Sequence, residues 1–209
     1  MTNIPTQPIP VDIWSDFVSP YCFLAALRLD KLAKQEHIAP IIWVALLVRP
    51  HGAPHITDEK RAEAERERAE AAGILRSEFR LEMNPGPIGI DTYDAHLLMA
   101  HATRAGKGPA LLMELMRAYW LEAKSIDDRE VIKEAAMAAG LDPKEVDYAW
   151  EDPNNTDHVN RGMEIGVGHG IRSVPSFIFA SKYLMTGSAE YADLEDMTNK
   201  LKEESRKAG

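Results

Sequence analysis

Residues 19–22 read Ser-Pro-Tyr-Cys, and Cys22 is the only cysteine among 209 residues. Two cysteines at this spacing, at the mouth of a helix, make a redox pair. The first attacks as a thiolate and the second resolves the mixed disulfide from one turn along. Here the attacking position holds a hydroxyl. Cys22, three residues into a helix, is expected to be partly buried and poorly placed to attack a protein disulfide. The Ser19 hydroxyl is far too weak an acid to replace a thiolate. It can instead donate a hydrogen bond to a thiolate supplied from outside, while the free N–H groups of the helix start add partial positive charge. Such help is worth about 0.3–1 kcal/mol when exposed and up to ~2 kcal/mol when partly buried. At ~1.36 kcal/mol per unit, that lowers a thiol pKa by roughly one unit, enough to ionise much of a small thiol at neutral pH. A plainer reading stands beside this one. Serine is a favoured N-cap, proline suits a first turn, and a lone cysteine packs as a small hydrophobe.

The elements that must position these residues follow from the pattern. "VDIWSDF" (11–17) alternates as a short strand, and the run from Pro20 carries Leu24, Ala25, Leu29 and Leu32 at helical spacing. "APIIWVALLV" (39–48) is apolar and β-branched, so the chain opens strand–helix–strand, the signature of a parallel pair. The first ten residues, with three prolines, read as an extended lead-in. A helical block follows. "ITDEKRAEAERERAEAAGILRSEF" is a charged helix with a solvated face. Asp91 caps and Gly106 stops the next helix, and Asp127 with Glu130 forms a capping pair. Asp142 with Pro143 opens another helix. The pattern then returns to strands at 173–180 and 182–188, turning at Ala180-Ser181, and a helix closes the chain.

Composition bounds the partners. The chain is 45% hydrophobic and 27% charged, as in an ordinary globular protein, and its net charge of −9 speaks against nucleic acid or an anionic membrane surface. No apolar run reaches membrane-spanning length. The first residues lack the basic flank and apolar stretch of a signal peptide, and one cysteine forms no internal disulfide. A cytoplasmic location is therefore expected, where the abundant small thiol is glutathione. The histidine pairs His51/His55 and His96/His101 lack zinc-ligand spacing and neighbouring ligands, so no metal is expected.

Four stretches, in order, carry a resemblance: "SDFVSPYCFLAALRLDKL", "TYDAHLLMAHA", "LMRAYWLEAKSIDDREVIKEAAMAAGLD" and "GIRSVPSFIFASKYLMTGSAE". They resemble the DsbA family, most of all its FrnE-type branch, whose relatives include 2-hydroxychromene-2-carboxylate isomerases and kappa-class glutathione transferases. The resemblance runs from about residue 11 to about residue 200. It implies a single chain of α/β class: a thioredoxin-like βαβ–ββα fold formed by residues 11–56 and 171–209, with an all-helical insertion at 57–170. Dithiol members carry cysteine where Ser19 stands, whereas the glutathione-dependent relatives carry serine followed by Pro-Tyr. The motif is thus a hybrid.

The resemblance also implies roles. Ser19, with Cys22, occupies the catalytic position. Pro20 and Tyr21 adjoin it, and Val174-Pro175 is expected to be a cis bond whose preceding backbone pairs with a bound peptide or glutathione. Arg49 stands near the site mouth, where it could meet a carboxylate of glutathione or substrate, and is equally readable as a surface arginine. Tyr21 either lines a pocket or packs on the sheet. His96 faces the cleft by analogy, with a structural histidine as its plainer reading. Asp91 replaces the asparagine expected of the FrnE-type branch. Three functions remain open: glutathione-dependent isomerase or transferase chemistry on a small, partly aromatic electrophile; thiol–disulfide exchange through Cys22 alone; and ligand binding without catalysis. A homodimer would suit the relatives.

Overall fold

The computed structural model describes residues 8–35 and 41–208. Most of the expected lead-in and the first two residues of the expected second strand lie outside these. Strands β1 (Val11–Ser15) and β2 (Ile42–Ala45) flank helix α1 (Pro20–Gln35), and β1 pairs in parallel with β2, Ile13 opposite Trp43. Strands β3 (Ser176–Phe179) and β4 (Tyr183–Thr186) complete a mixed sheet in the order β2-β1-β3-β4. β3 runs antiparallel to both of its neighbours, with Ile13 opposite Phe177. Ala180 and Ser181 both take positive φ in the tight turn between β3 and β4, which the Lys182 amide closes on the Phe179 carbonyl at 2.9 Å, a backbone twist that suits hairpin turns.

Alternation along the strands divides the sheet into two buried faces. Val11, Ile13, Phe177 and Phe179 join the main core with Phe23, Leu24 and Leu29 of α1. Trp14 and Ile178 point the other way, toward Ile171. The closing helix α8 (Tyr191–Ala208) packs beside α1. Buried Arg28 of α1 clasps Glu78 at 2.6 Å and donates to the Ala189 carbonyl at 2.7 Å, which ties three segments distant in sequence.

Between β2 and β3 the chain builds six helices: α2 (Asp58–Ile74), α3 (Tyr93–Arg104), α4 (Gly108–Leu121), α5 (Arg129–Ala138), α6 (Pro143–Ala149) and α7 (Pro153–Gly168). This is the expected thioredoxin-like α/β architecture with a helical insertion. Side-chain caps start several of them. Thr57 accepts from the Lys60 amide, Asp142 from Lys144 and Asp152 from Asn154. The cap of α5 is Asp128, one residue past the expected Asp127, which instead accepts from the Ser125 hydroxyl. Helix α2 runs into a π-helical turn, Leu75–Phe79, that ends at Arg80 with φ 57°. No helix among the described residues is long and apolar enough to cross a membrane.

Helix α7 lies close on the second face of the sheet. A Cβ at Gly166 would come within 2.6 Å of the Trp14 indole nitrogen, and one at Gly162 within 2.6 Å of Val44. The Trp14 Nε1–H meanwhile donates to the Gly162 carbonyl at 2.9 Å. Only glycine permits this approach.

Candidate active site

The Ser-Pro-Tyr-Cys motif begins in a turn. The Ser19 amide donates to the Asp16 carbonyl at 3.2 Å, and Pro20, with no N–H to satisfy, occupies the first helical position. The Cys22 amide reaches both the Ser19 carbonyl at 3.1 Å and the Ser19 hydroxyl oxygen at 3.4 Å. Serine therefore does cap the helix, as the plainer reading has it. The same side chain also stands on the wall of a cavity of about 600 Å³, within the range of small-molecule sites. Accepting from the Cys22 amide uses a lone pair of the oxygen; its single proton, which is turned to the Cys22 sulfur when it favours that thiolate, donates into the cavity only when the hydroxyl rotates.

Cys22 lies behind that wall with no exposed surface. Burial pushes its thiol up to about 11, outweighing the hydrogen bonds from Ser15 and Ser19 that favour the thiolate. At neutral pH the sulfur is a protonated, inaccessible thiol.

Of the residues singled out by sequence, Ser19, Pro20, Tyr21, Arg49 and Val174 share the cavity wall. Tyr21 therefore faces the pocket; its phenol is raised to about 12 by burial and by hydrogen bonding to Glu70. The Val174–Pro175 bond is cis, and Val174 is on the wall while Pro175 is not. No protein partner meets the Val174 amide or carbonyl among the described residues. Arg49 is held at the mouth. It donates to the carbonyls of Ala53 and Pro54 and lies 3.9 Å from Asp91.

His96 does not reach the cavity. It is buried 4.6 Å from the Phe17 ring, with Nε2 3.4 Å from the Asp16 carboxylate. It is the structural histidine of the plainer reading. Asp91 is likewise not on the wall. It accepts from the Tyr93 amide at the start of α3, as a cap would, and from the Gly52 amide and His51, fixing the loop that carries Arg49. Burial raises its carboxyl, but these hydrogen bonds prevail and hold it below the ordinary carboxylate range.

Three residues were missed by sequence reasoning. Asp16, almost fully buried, accepts from the Val48 amide at 2.7 Å while its backbone carbonyl holds Ser19, so it links the motif to the Arg49 loop. Arg68 and Tyr119 also line the cavity, the arginine donating to the phenol oxygen at 2.5 Å. Arg68 hid within a run of charges that reads as solvated all round, and α2 does present most of that run to water. Its inner side, with Glu63, Glu67 and Arg68, forms a cavity wall. Glu67 is pushed above its ordinary value by burial and by the neighbouring Glu63.

A family model described as a DSBA-like thioredoxin domain matches residues 10–199. The chain belongs to the DsbA-like thioredoxin family. No curated protein matches the sequence of this DsbA-like chain. Among solved structures it resembles a probable DsbA oxidoreductase from Streptomyces coelicolor at 23% identity and a TM-score of 0.76, covering 92% of this chain and 89% of that one. It also resembles 2-hydroxychromene-2-carboxylate isomerase at 15% identity and a TM-score of 0.77, over 96% and 99% of the two chains. The N. meningitidis oxidoreductase NmDsbA1 follows at 14% identity and a TM-score of 0.59, over 100% and 89%. At these identities the likeness is one of fold. The DsbA-like scaffold is one that oxidoreductases and an isomerase share.

Proposed function

We propose that this DsbA-like protein binds glutathione and uses its thiolate in isomerase- or transferase-type chemistry on a small, partly aromatic electrophile. One observation carries the reading: Ser19 lines a cavity of about 600 Å³ while the protein's only thiol is sealed behind it. A nucleophilic thiol at this site has to arrive from outside.

The residues supply what such a thiol needs. The Ser19 hydroxyl donates to the sulfur, and the N-terminus of α1 adds its partial positive charge. Val174 offers an unpaired backbone amide and carbonyl to the extended tripeptide, as an added strand. Arg49 stands at the mouth for a carboxylate, and Pro20 and Tyr21 give apolar surface beside the sulfur. The bound thiolate forms a C–S bond to the electrophile. In transfer, a leaving group departs with its bonding pair. In isomerisation the C–S bond breaks again after rearrangement and returns the pair to sulfur. The thiol proton passes to water in both.

Thiol–disulfide exchange through Cys22 has the burial and high pKa of that thiol against it. A reducing cytoplasm is the compartment that suits the proposed reading, and a homodimer, which would suit the relatives, is an expectation for light scattering to test. Calorimetric titration with glutathione at neutral pH tests the central claim. Saturable binding at or below millimolar concentration, weakened by Ser19→Ala, is expected; no heat at 10 mM, a concentration on the order of ten times such a Kd, would end it.

A further inference from the structure

Strand β4 is an open edge of the sheet: among the described residues β3 is its one strand neighbour. The Gly187 amide donates to the Pro175 carbonyl at 2.9 Å, one step beyond the pair Ser176–Thr186. Antiparallel strands exchange hydrogen bonds at every second position, so Met185 and Tyr183 bond inward to Phe177 and Phe179. The N–H and C=O groups of Leu184 and Thr186 therefore point out from the edge. Charge, proline or a bulge ordinarily guards such an edge, and the run Tyr-Leu-Met-Thr pairs in regular register with none of them. Flanking Lys182 is tied back to Glu204. Leu184, level with Ile178 on the second face of the sheet, is 49% exposed.

On the first face, helix α8 runs beside β4 in the opposite direction. Glu204 accepts from the Tyr183 hydroxyl, and Lys200 Nζ lies 4.0 Å from the Tyr183 ring. Asp193, Asp196 and Met197 share an open groove with Met185 and Thr186. Asp193 spends an oxygen on the Glu190 amide at 3.0 Å. Among the described residues neither Asp196 nor Lys200 forms an ion pair.

These features are self-complementary, as a two-fold contact requires. An axis through Met185, perpendicular to the sheet, sets a second β4 antiparallel to the first. Leu184 then stands opposite the partner's Thr186, and Thr186 opposite the partner's Leu184. Each pair exchanges the two hydrogen bonds that the edge leaves free. Met185 meets the partner's Met185 at the intervening position, where side chains approach closely. Helix α8 crosses the level of the axis near Met197, so Lys200 comes toward the partner's Asp196 at both ends of the seam. The groove thus offers a thioether centre with an acid on one side and a base on the other.

We propose that two copies of this chain join along β4 into one continuous sheet, with reciprocal Asp196–Lys200 pairs over the seam. The inference names the surface of a homodimer and does not depend on the glutathione chemistry proposed above.

Sedimentation velocity of the full-length protein over about 1–200 µM, a range suited to the Kd of a small interface, tests it. The parent is expected to dimerise. Leu184→Pro removes an outward N–H that β3 does not use, which an edge strand tolerates. It should weaken the dimer by at least about tenfold, as loss of two symmetry-related hydrogen bonds does. Asp196→Lys and Lys200→Glu each set like charges together twice and should weaken it by roughly tenfold. An equimolar mixture of these two charge variants should regain parent-like association, because opposite charges then meet at both ends of the seam. Far-UV circular dichroism and melting check that the variants are folded. If Leu184→Pro fails that check, the charge variants decide, since both side chains are exposed on α8. A parent that stays monomeric throughout overturns the proposal. So does a dimer that the variants leave unchanged, or a mixture that associates no more tightly than its components.

Discussion

The Ser19 hydroxyl oxygen accepts from the amide of Cys22 at 3.4 Å, so the side chain lining the cavity also caps the turn that hides the thiol. Substitution at either residue therefore reads out a different half of the site.

Ser19→Ala removes both the cap and the donor to a bound thiolate. Loss of the cap should destabilise the fold by about 1 kcal/mol in urea melts. Independently, the thiol pKa of bound glutathione, followed by thiolate absorbance near 240 nm, a wavelength approximate to within about 5 nm, should rise by roughly one unit. An unchanged pKa in a folded variant would show that the hydroxyl does not touch the sulfur.

Ser19→Cys restores Cys-Pro-Tyr-Cys at a helix start that already brings position 19 against the amide of Cys22. The variant should reduce insulin disulfides with dithiothreitol as the electron source, and the parent should not. A folded but inactive variant would mean that the surrounding site has lost its capacity for dithiol exchange.

Cys22 should leave a mark on alkaline stability. Burial raises its thiol from an ordinary 9.0 to about 11 in the fold. The folded protein therefore holds this proton more tightly than the unfolded chain. The resulting stability is complete below about pH 9 and is lost as pH climbs through about 11, amounting to about 3 kcal/mol. Urea melts of the parent and Cys22→Ala across this range should converge as pH rises; parallel curves would refute the burial effect. Iodoacetamide at neutral pH should modify Cys22 only after denaturation.

Gly166→Ala sets helix propensity against packing. Alanine favours an exposed helix interior by about 1 kcal/mol, but here its methyl would meet the Trp14 indole at 2.6 Å, and that ring is buried and hydrogen-bonded. Overpacking of this kind costs about 1–3 kcal/mol, so a net loss is expected in melting, with Trp14 fluorescence altered. A stabilised variant would show that α7 can slide on the sheet.

The succession of strands and helices along the chain and the Asp142 cap were legible because periodicity and capping are local, and the α5 cap was misplaced by one residue, at Asp127 rather than Asp128. Three positions were not, each for its own reason. The apolar run at 39–48 reads as one strand, yet pairing ends at Ala45, and Leu46, Leu47 and Val48 continue apolar because they wall a cavity. Arg68 lies in a run of charged residues that mostly face solvent, and only tertiary contact with Tyr119 and Trp120 sets it apart. His96 pairs with Asp16 across 80 positions of sequence, a distance that no local pattern spans.

The cavity is walled by two stretches of different origin: Ser19, Arg49 and Val174 from the strand-bearing part, and Glu67, Arg68 and Tyr119 from the helices inserted within it. A chimaera receiving another homologue's α2 could thus acquire a new preference in small molecules while its motif stayed untouched. Diversification on this scaffold has a cheap route, in which one module drifts and the other is left alone.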